Sequence, residues 1–388
     1  MSQAPTARAR SAVFLDRDGT LNVSRHRLDH PDELELLPGA AAAVGRLNTA
    51  GLLAVLVSNQ PRVARGECSE DGLAAIHARL AELLAREDAR LDALYYCPHA
   101  SSRDGDAGCS CRKPATGMIE RACGDLEIAR ATSWVIGDRT SDLQLARNAR
   151  LRAVLVRTGR AGTDREYPVT PDYEFFDVRE ACDFIVDGFG PALTTAAEHV
   201  ADIAPGDTIL VGGLGRSGKS TWASVFREAL AQRGTQAVCV PLDAWLRSAD
   251  QREPGILGRF DIPTIEALAH HLRKRPRPPI DLELAGYDRR TRRRVPAEHS
   301  LRIEPDDVAI VEGVPALAIA PLLAGARRAF YVECQEPERR ARFEREYRWR
   351  GEDTATIATL YAQRELDEHT FIRATARAAS HVLTGRRD

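Results

Sequence analysis

The chain has 388 residues, 44% apolar and 28% charged, with a formal net charge of −2. That length suits two domains, each with its own core, and the near-neutral charge offers no electrostatic footprint for nucleic acid. No segment reaches eighteen apolar residues and the first ten lack an apolar run, so no membrane association and a cytoplasmic location are expected. Five of the eight cysteines are scattered singly, which suits a reducing compartment better than a disulfide framework. Lysine is rare. Lys113, Lys219 and Lys274 are the only three, against a large excess of arginine, and a lysine that persists in such a composition points to a need for a compact cation.

In chain order, residues 12–15 form an apolar run that reads as a buried strand and ends in Asp16-Arg-Asp18-Gly-Thr20-Leu-Asn22. Two carboxylates at i and i+2 past a strand end can converge on one site; a solvated Asp-rich turn is the alternative. Residues 52–57 predict a second strand, ending in Ser58-Asn59-Gln60. Residues 91–96 lead into Cys97-Pro-His99. A further strand at 134–136 ends in Gly137-Asp138-Arg139-Thr-Ser-Asp142, and 154–156 reads as another. Helical spacing covers 40–50, 69–86, 116–126 and 143–149. Strand–helix alternation predicts an α/β fold, a doubly wound parallel sheet with its chemistry at the carboxyl ends of the strands. All four polar clusters follow strand ends.

Cys97, His99, Cys109 and Cys111 bracket a loop, 100–108, that is rich in Ser, Asp and Gly and has no apolar periodicity. Such a loop buries too little surface to order itself, and a clamp at its base is reasonable. Three thiolates and one imidazole complete a tetrahedral zinc shell with no open position, which makes the site structural rather than catalytic. Incidental cysteines are the competing reading. Arg112, Lys113 and Pro114 follow at once.

Phe14 to Asn22, Ser58-Asn-Gln60, Ala64-Arg-Gly66, Tyr96-Cys-Pro-His99, Cys109-Ser-Cys-Arg-Lys-Pro114 and Gly137-Asp138 through Asp142 resemble the haloacid dehalogenase superfamily of aspartate-nucleophile phosphatases. The match is closest to its zinc-containing branch, which acts on heptose bisphosphate or histidinol phosphate, and covers about residues 10–160. The resemblance implies that Asp16 attacks phosphorus and that Asp18 protonates the leaving oxygen and then activates water. It implies Mg²⁺ on Asp16, Asp138 and a backbone carbonyl near Asp18, with Ser58, Asn59 and Lys113 on the phosphoryl oxygens. Asp142 would orient Lys113 or the metal shell. Arg65, Arg112 and Arg139 are candidates for a second phosphate or carboxylate on the substrate, with surface arginines as the alternative. Relatives carry Ser-Gly-Ile after Asn-Gln, where this chain has Pro61-Arg62-Val63.

A boundary near residue 190 separates domains 1–190 and 191–388; 191–207 has weak periodicity, and 196–203 reads as a short helix. Residues 208–211 predict a strand. Gly213-Leu-Gly215-Arg-Ser217-Gly218-Lys219-Ser220 then satisfies G-x-x-x-x-G-K-[ST], with Thr221 following. Backbone N–H groups in such a loop cradle nucleotide phosphates, the lysine bridges them and the serine reaches Mg²⁺. Residues 238–242 bring Asp243 to a strand end, where a base can accept a hydroxyl proton. Residues 308–311 end in Glu312, a carboxylate near the metal of ATP. A basic helix over 338–351 carries Arg342 and Arg345 on one face.

This half resembles the uridine kinase and phosphoribulokinase family of P-loop kinases over about residues 205–385. The Gly213–Thr221 loop, Leu242-Asp243, Arg259-Phe-Asp261-Ile-Pro263, Gly286-Tyr287-Asp288, Val311-Glu-Gly and the lid arginines carry it. The resemblance implies a second doubly wound domain that uses ATP, with Asp243 as base, Asp261 and Tyr287 on the acceptor, and Arg342 and Arg345 in a lid. Uridine kinases have a His where this chain has Arg289, Arg290 and Arg292 to Arg294, and a Gln where Leu360 stands. An anionic acceptor such as a sugar phosphate fits better than uridine. The expectation is a bifunctional phosphatase–kinase of small phosphorylated metabolites. Nucleic-acid end processing and a phosphatase governed by a nucleotide-sensing module are the competing readings.

Overall fold

The computed structural model describes residues 9–25, 27–100, 108–288 and 291–384. Its contacts divide the chain into two units, Met1–Gly188 and Phe189–Asp388. Each is an α/β layer structure on a parallel sheet, and each is taken separately.

The first unit contains β1 (Ala12–Leu15), α1 (Ala40–Thr49), β2 (Leu53–Asn59), α2 (Glu70–Ala85), β3 (Ala93–Cys97), α3 (Gly117–Leu126), β4 (Trp134–Gly137), α4 (Thr140–Ala149), β5 (Arg152–Val156), β6 (Tyr173–Phe175) and α5 (Val178–Asp183). The six strands are ordered β3-β2-β1-β4-β5-β6, and every pairing is parallel. Parallel strands covered by helices on both faces read as unbroken apolar runs, and β1 and β4 are buried at every position. Strand order reverses between β1 and β4. The loops leaving these two strands therefore open into one crevice, where Asp16 and Asp138 lie.

Two boundaries differ from the sequence expectation. Strand β2 runs on to Asn59, because Ser58 and Asn59 pair with Tyr96 and Cys97. Helix α4 starts three residues early at Thr140: Asp142 accepts from the Arg139 N–H at 3.1 Å, so polar Thr-Ser-Asp forms its first turn. The three-residue β6 was not anticipated, being too short for periodicity to register.

The second unit contains α6 (Phe189–His199), β7 (Thr208–Gly212), α7 (Lys219–Gln232), β8 (Ala237–Pro241), α8 (Ile262–Leu272), β9 (Ile280–Asp288), β10 (Arg293–Ile303), β11 (Val308–Glu312), α9 (Ala320–Gly325), β12 (Arg328–Glu333), α10 (Glu336–Trp349), α11 (Thr354–Arg364), α12 (Thr370–Ala374) and β13 (His381–Thr384). The weakly patterned stretch after 190 is helical from Phe189 to His199, earlier than the expected 196–203, and continues directly from a π-helical turn at Phe184–Gly188. Five parallel strands are ordered β13-β12-β7-β11-β8, and β9 and β10 form a separate antiparallel hairpin. The order reverses at β7, which feeds the Gly-rich loop into α7. Gly213 is needed there: at φ +139° a Cβ would stand 2.4 Å from the Val332 carbonyl oxygen of β12. No helix among the described residues is long and apolar enough to cross a membrane.

Candidate active sites

In the first unit, three carboxylates, Asp16, Asp138 and Asp142, place oxygens within 4.8 Å of one another, all buried. Lys113 reaches the cluster with its ammonium 2.6 Å from Asp16 Oδ1, 2.6 Å from Asp142 Oδ1 and 3.1 Å from the Val57 carbonyl. Burial pulls the Lys113 pKa down, but Asp142 and Asp16 override it and hold the ammonium charged. Burial pushes Asp16 up to about 6, against the pull of Lys113 and with the push of Asp142 and Asp18. Asp138 is pushed to about 8 by burial and by the charges of Asp16 and Asp142.

Asp138 Oδ2 accepts from the Arg160 N–H at 2.6 Å, while its buried Oδ1 has no hydrogen-bond partner among the described residues. Gly19 and Gly159 press close to this carboxylate, and a Cβ on either would lie 2.5 or 2.2 Å from Oδ2. An orphaned carboxylate oxygen among like charges fits a hard divalent cation. The ligand-forming group is Asp16, Asp138 and Asp142. The side chain of Asp18 lies outside that group, and the expectation for its position at the metal is a backbone carbonyl.

Asp18 is instead held by the guanidinium of Arg17 at 2.8 Å, by Asn22 Nδ2 at 3.0 Å and by Gln60 Nε2 at 3.0 Å. Burial works to raise its pKa, and these partners, Arg17 foremost, keep it below the usual carboxylate value. Gln60 also donates to Ser58 Oγ at 2.8 Å, joining Asp18 to the end of β2. Asn59 is set against Lys113. Its amide oxygen accepts from the Lys113 N–H at 3.0 Å and its amide nitrogen donates to the Lys113 carbonyl at 3.2 Å. Both polar ends meet the Lys113 backbone, which makes Asn59 a holder of the lysine, and the second N–H of the amide is left for another acceptor.

Lys113 follows the Cys/His cluster directly. Cys97 Sγ lies 3.5 Å from Cys109 Sγ, Cys109 lies 3.4 Å from Cys111, and His99 Nδ1 lies 3.2 Å from Cys111 Sγ. All four ligand atoms fall within 4.8 Å of one another. Cys97 ends β3, and the Cys109 thiolate is favoured: burial opposes it, but hydrogen bonds from Cys111, Cys97 and the Arg112 N–H bring its pKa to about 7. Of the expected polar loop 100–108, residues 101–107 lie outside the described residues. Arg112 donates to the His99 carbonyl at 3.2 Å, within this loop's own backbone. Arg65 and Arg139 are exposed.

In the second unit, Lys219 is buried at the start of α7 with its ammonium 2.7 Å from the Leu214 carbonyl of the same loop. Burial lowers its pKa, opposed by the charges of Glu312, Asp243 and Glu368. Ser220 Oγ donates to Glu312 Oε1 at 3.0 Å, joining the loop to the end of β11. Ser217 is buried, and its Oγ has no partner among the described residues. Gly215, Gly218 and Thr221 complete the loop and first turn; Gly218 takes φ +96°. Asp243 is exposed on the turn after β8.

Asp261 caps α8 and accepts from Thr264 Oγ1 at 2.8 Å, and the Tyr287 hydroxyl on β9 accepts from Arg252. Arg342 and Arg345 lie on α10; Arg342 pairs with Glu338 and donates to the Arg216 carbonyl of the Gly-rich loop at 3.3 Å. Sequence reasoning gave no role to Arg216, whose guanidinium contacts Glu346 at 2.7 Å and lies over Phe343 and Tyr347. It also passed over Glu368, a buried carboxylate on the Gly215 N–H. Arg216 stood inside the motif and was readable; Glu368 comes from 153 positions away with no local signature.

A HAD-hydrolase-like family model matches residues 110–181. A D-glycero-D-manno-heptose-1,7-bisphosphate 7-phosphatase from Thermosynechococcus vestitus is 41% identical over 193 residues, covering 47% of this chain and 98% of the relative. The chain belongs to that phosphatase family. The family accounts for the first unit. A second relative of the same name from Haemophilus influenzae is 39% identical over 155 residues, covering 39% of this chain and 84% of its own. The D,D-heptose 1,7-bisphosphate phosphatase structure from B. bronchiseptica, with magnesium and phosphate, is 32% identical and covers 45% of this chain and 96% of its own, with a TM-score of 0.42. A structure from Silicibacter sp. TM1040, named for a fructose transport system kinase, is 20% identical and covers 49% of this chain and 98% of its own, with a TM-score of 0.39.

Proposed function

We propose that the chain joins two phosphoryl-transfer enzymes: a phosphatase that removes the 7-phosphate of a heptose 1,7-bisphosphate, and a kinase that moves the γ-phosphate of ATP to a sugar or sugar-phosphate hydroxyl. The observation that carries the first half is the junction of Asp16, Lys113 and Asp142 beside the orphaned oxygen of Asp138. Asp16 attacks phosphorus and the phosphorus–oxygen bond to the sugar breaks; water then cleaves the aspartyl-phosphate and frees Asp16. Lys113 opposes charge on the phosphoryl oxygens, and Asn59 sets where it stands. Asp16 and Asp138, with Asp142 in the same carboxylate group, would hold Mg²⁺, which would supply positive charge against the same oxygens. Asp18 rests as a carboxylate, which suits its base half; it must take a proton before it serves the leaving oxygen.

The second half rests on the complete Gly213–Thr221 loop at the strand-order reversal, with Ser220 on Glu312. Lys219 and the loop N–H groups take the phosphates, Asp243 takes the acceptor proton, and Arg342 and Arg345 cover the transfer. Arg252 on Tyr287 adds positive charge to the hairpin side, which favours an anionic acceptor. Cys97, His99, Cys109 and Cys111 would hold a structural zinc, which would fix the base of the loop from which Lys113 departs.

The two activities form a sequence on one sugar: C1 of a heptose 7-phosphate is phosphorylated first, and the C7 phosphate is then removed. Given ATP, Mg²⁺ and heptose 7-phosphate, the chain yields the 1-phosphate. Asp16→Asn stops the reaction at the bisphosphate, and Lys219→Ala prevents it from starting. If the chain neither uses ATP nor releases phosphate with these substrates, the scheme is refuted.

A further inference from the structure

Glu368 is a carboxylate in the second unit, almost fully buried, within a π-helical turn, Glu365–His369, that follows α11. Its Oε1 accepts from the Gly215 N–H of the Gly-rich loop at 3.2 Å. Its Oε2 accepts from two guanidiniums: Arg259 Nη1 at 3.2 Å and Arg364 Nη1 at 3.1 Å. A loop whose N–H groups cradle phosphate receives an anionic oxygen from the protein itself at this point. Two cations stand on the far oxygen of that same carboxylate, so both lie one carboxyl group away from the loop backbone.

Arg259 and Arg364 share one buried carboxylate oxygen, and among the described residues the only other acid on either is Asp367, half-exposed and 3.6 Å from Arg259. Solvent screens that second, outer acid, so within the buried cluster two guanidiniums face a single carboxylate. Arg364 is steadied by the Tyr347 hydroxyl at 3.3 Å, and Arg259 by its place in the turn that hydrogen-bonds Arg247 through its own carbonyl. Both are therefore held in place beside the loop.

We propose that Arg259 and Arg364 are the cations that meet the phosphoryl group in flight, and that Glu368 is the positioning residue holding them against the Gly-rich loop. This rests on the nucleotide reading of that loop. It adds two catalytic arginines outside α10, one from the turn before α8 and one from the end of α11. Their guanidiniums match the spread negative charge of a phosphoryl group passing between two oxygens.

The test uses the full chain, Mg²⁺ and a fluorescently labelled ADP, whose signal reports only the nucleotide-binding unit. Aluminium fluoride added to MgADP stands in for the transferring phosphoryl group. In the unaltered protein it should tighten labelled-ADP binding by at least ~10-fold, as transition-state mimics do. Arg259→Gln and Arg364→Gln should keep MgADP affinity within about twofold while losing most of that gain, and Glu368→Gln should do the same. If Glu368→Gln fails to fold by thermal melting, the two arginine variants decide. The proposal is overturned if those variants keep the fluoride gain, if they lose MgADP affinity equally, or if the unaltered protein shows no gain. Labelled ADP that fails to bind, or that binds Lys219→Ala as well as the unaltered chain, overturns the nucleotide reading and this proposal with it.

Discussion

Asn59 illustrates how one side chain can set the position of another by gripping its backbone. Both ends of its amide are on the backbone of Lys113, across 54 residues of chain. Asn59→Ala removes two hydrogen bonds, about 1–3 kcal/mol of local order. Its expected effect is a loss of roughly 10–100-fold in phosphatase kcat, because small displacements of a charged group in such sites are costly. Steady-state phosphate release, set against a melting curve, separates misplacement from unfolding. The strand end and the Asn were legible in the sequence, but the partner was not: the motif shows where a polar residue stands and not which backbone it grips.

Asp138 and Asp16 carry a second residue-scale consequence. Below about pH 4 both are protonated in the folded and unfolded chain alike and cost nothing. Between there and about pH 8 the folded chain keeps protons that the unfolded one has released, so stability without divalent metal falls as pH rises through that window. Mg²⁺ should reverse the trend, with a stabilising shift that grows from pH 6 to pH 8 because binding needs the carboxylates ionised. Thermal melting with and without Mg²⁺ measures it. In Asp138→Asn the shift should largely vanish; a shift of equal size at both pH values would contradict the account.

At the scale of elements, the Cys/His cluster and α4 face one another. Lys113 follows the cluster and Asp142 stands in the first turn of α4, and the two meet at 2.6 Å. The spacing of Cys97, His99, Cys109 and Cys111 was readable, since ligands of one ion must be clustered in sequence or paired by a turn. Cys109→Ser, or stripping with a zinc chelator, should abolish phosphate release by letting Lys113 drift. Labelled-ADP binding should stay unchanged, because no residue of that cluster lies in the second unit. A chelator that spared the phosphatase would show the cysteines to be incidental. The β9–β10 hairpin was missed although Ile280-Asp-Leu282-Glu-Leu284 alternates cleanly. The expectation of parallel βα units left no place for an antiparallel ribbon, and the alternation was not weighed on its own terms. Strand β12 was passed over although 329–332 is an apolar run as long as that of β1, and β13 because only Leu383 of its four residues is buried.

At the scale of the whole molecule, two units with separate sheets each place their candidate site where strand order reverses. Both reversals were implied by strand–helix alternation, since a doubly wound sheet must change direction somewhere and its loops gather there. What could not be read was long-range closure: the pairing of Glu368 with Gly215, or of Lys113 with Asp16, joins positions 153 and 97 apart.

The scarcity of lysine makes the molecule its own reporter. Lys274 is exposed, whereas Lys113 and Lys219 are buried inside their respective sites. An amine-acylating reagent should therefore mark Lys274 at once and the other two slowly, each at the rate its site opens. Lys219, whose proton is loosened by burial, should react whenever its loop swings free and be silenced by nucleotide. Lys113, held charged by two carboxylates, should stay unmodified until Asp16 or Asp142 is replaced. Peptide mass spectrometry of one labelled sample would then time the breathing of both catalytic centres side by side, and equal labelling of all three lysines would refute it.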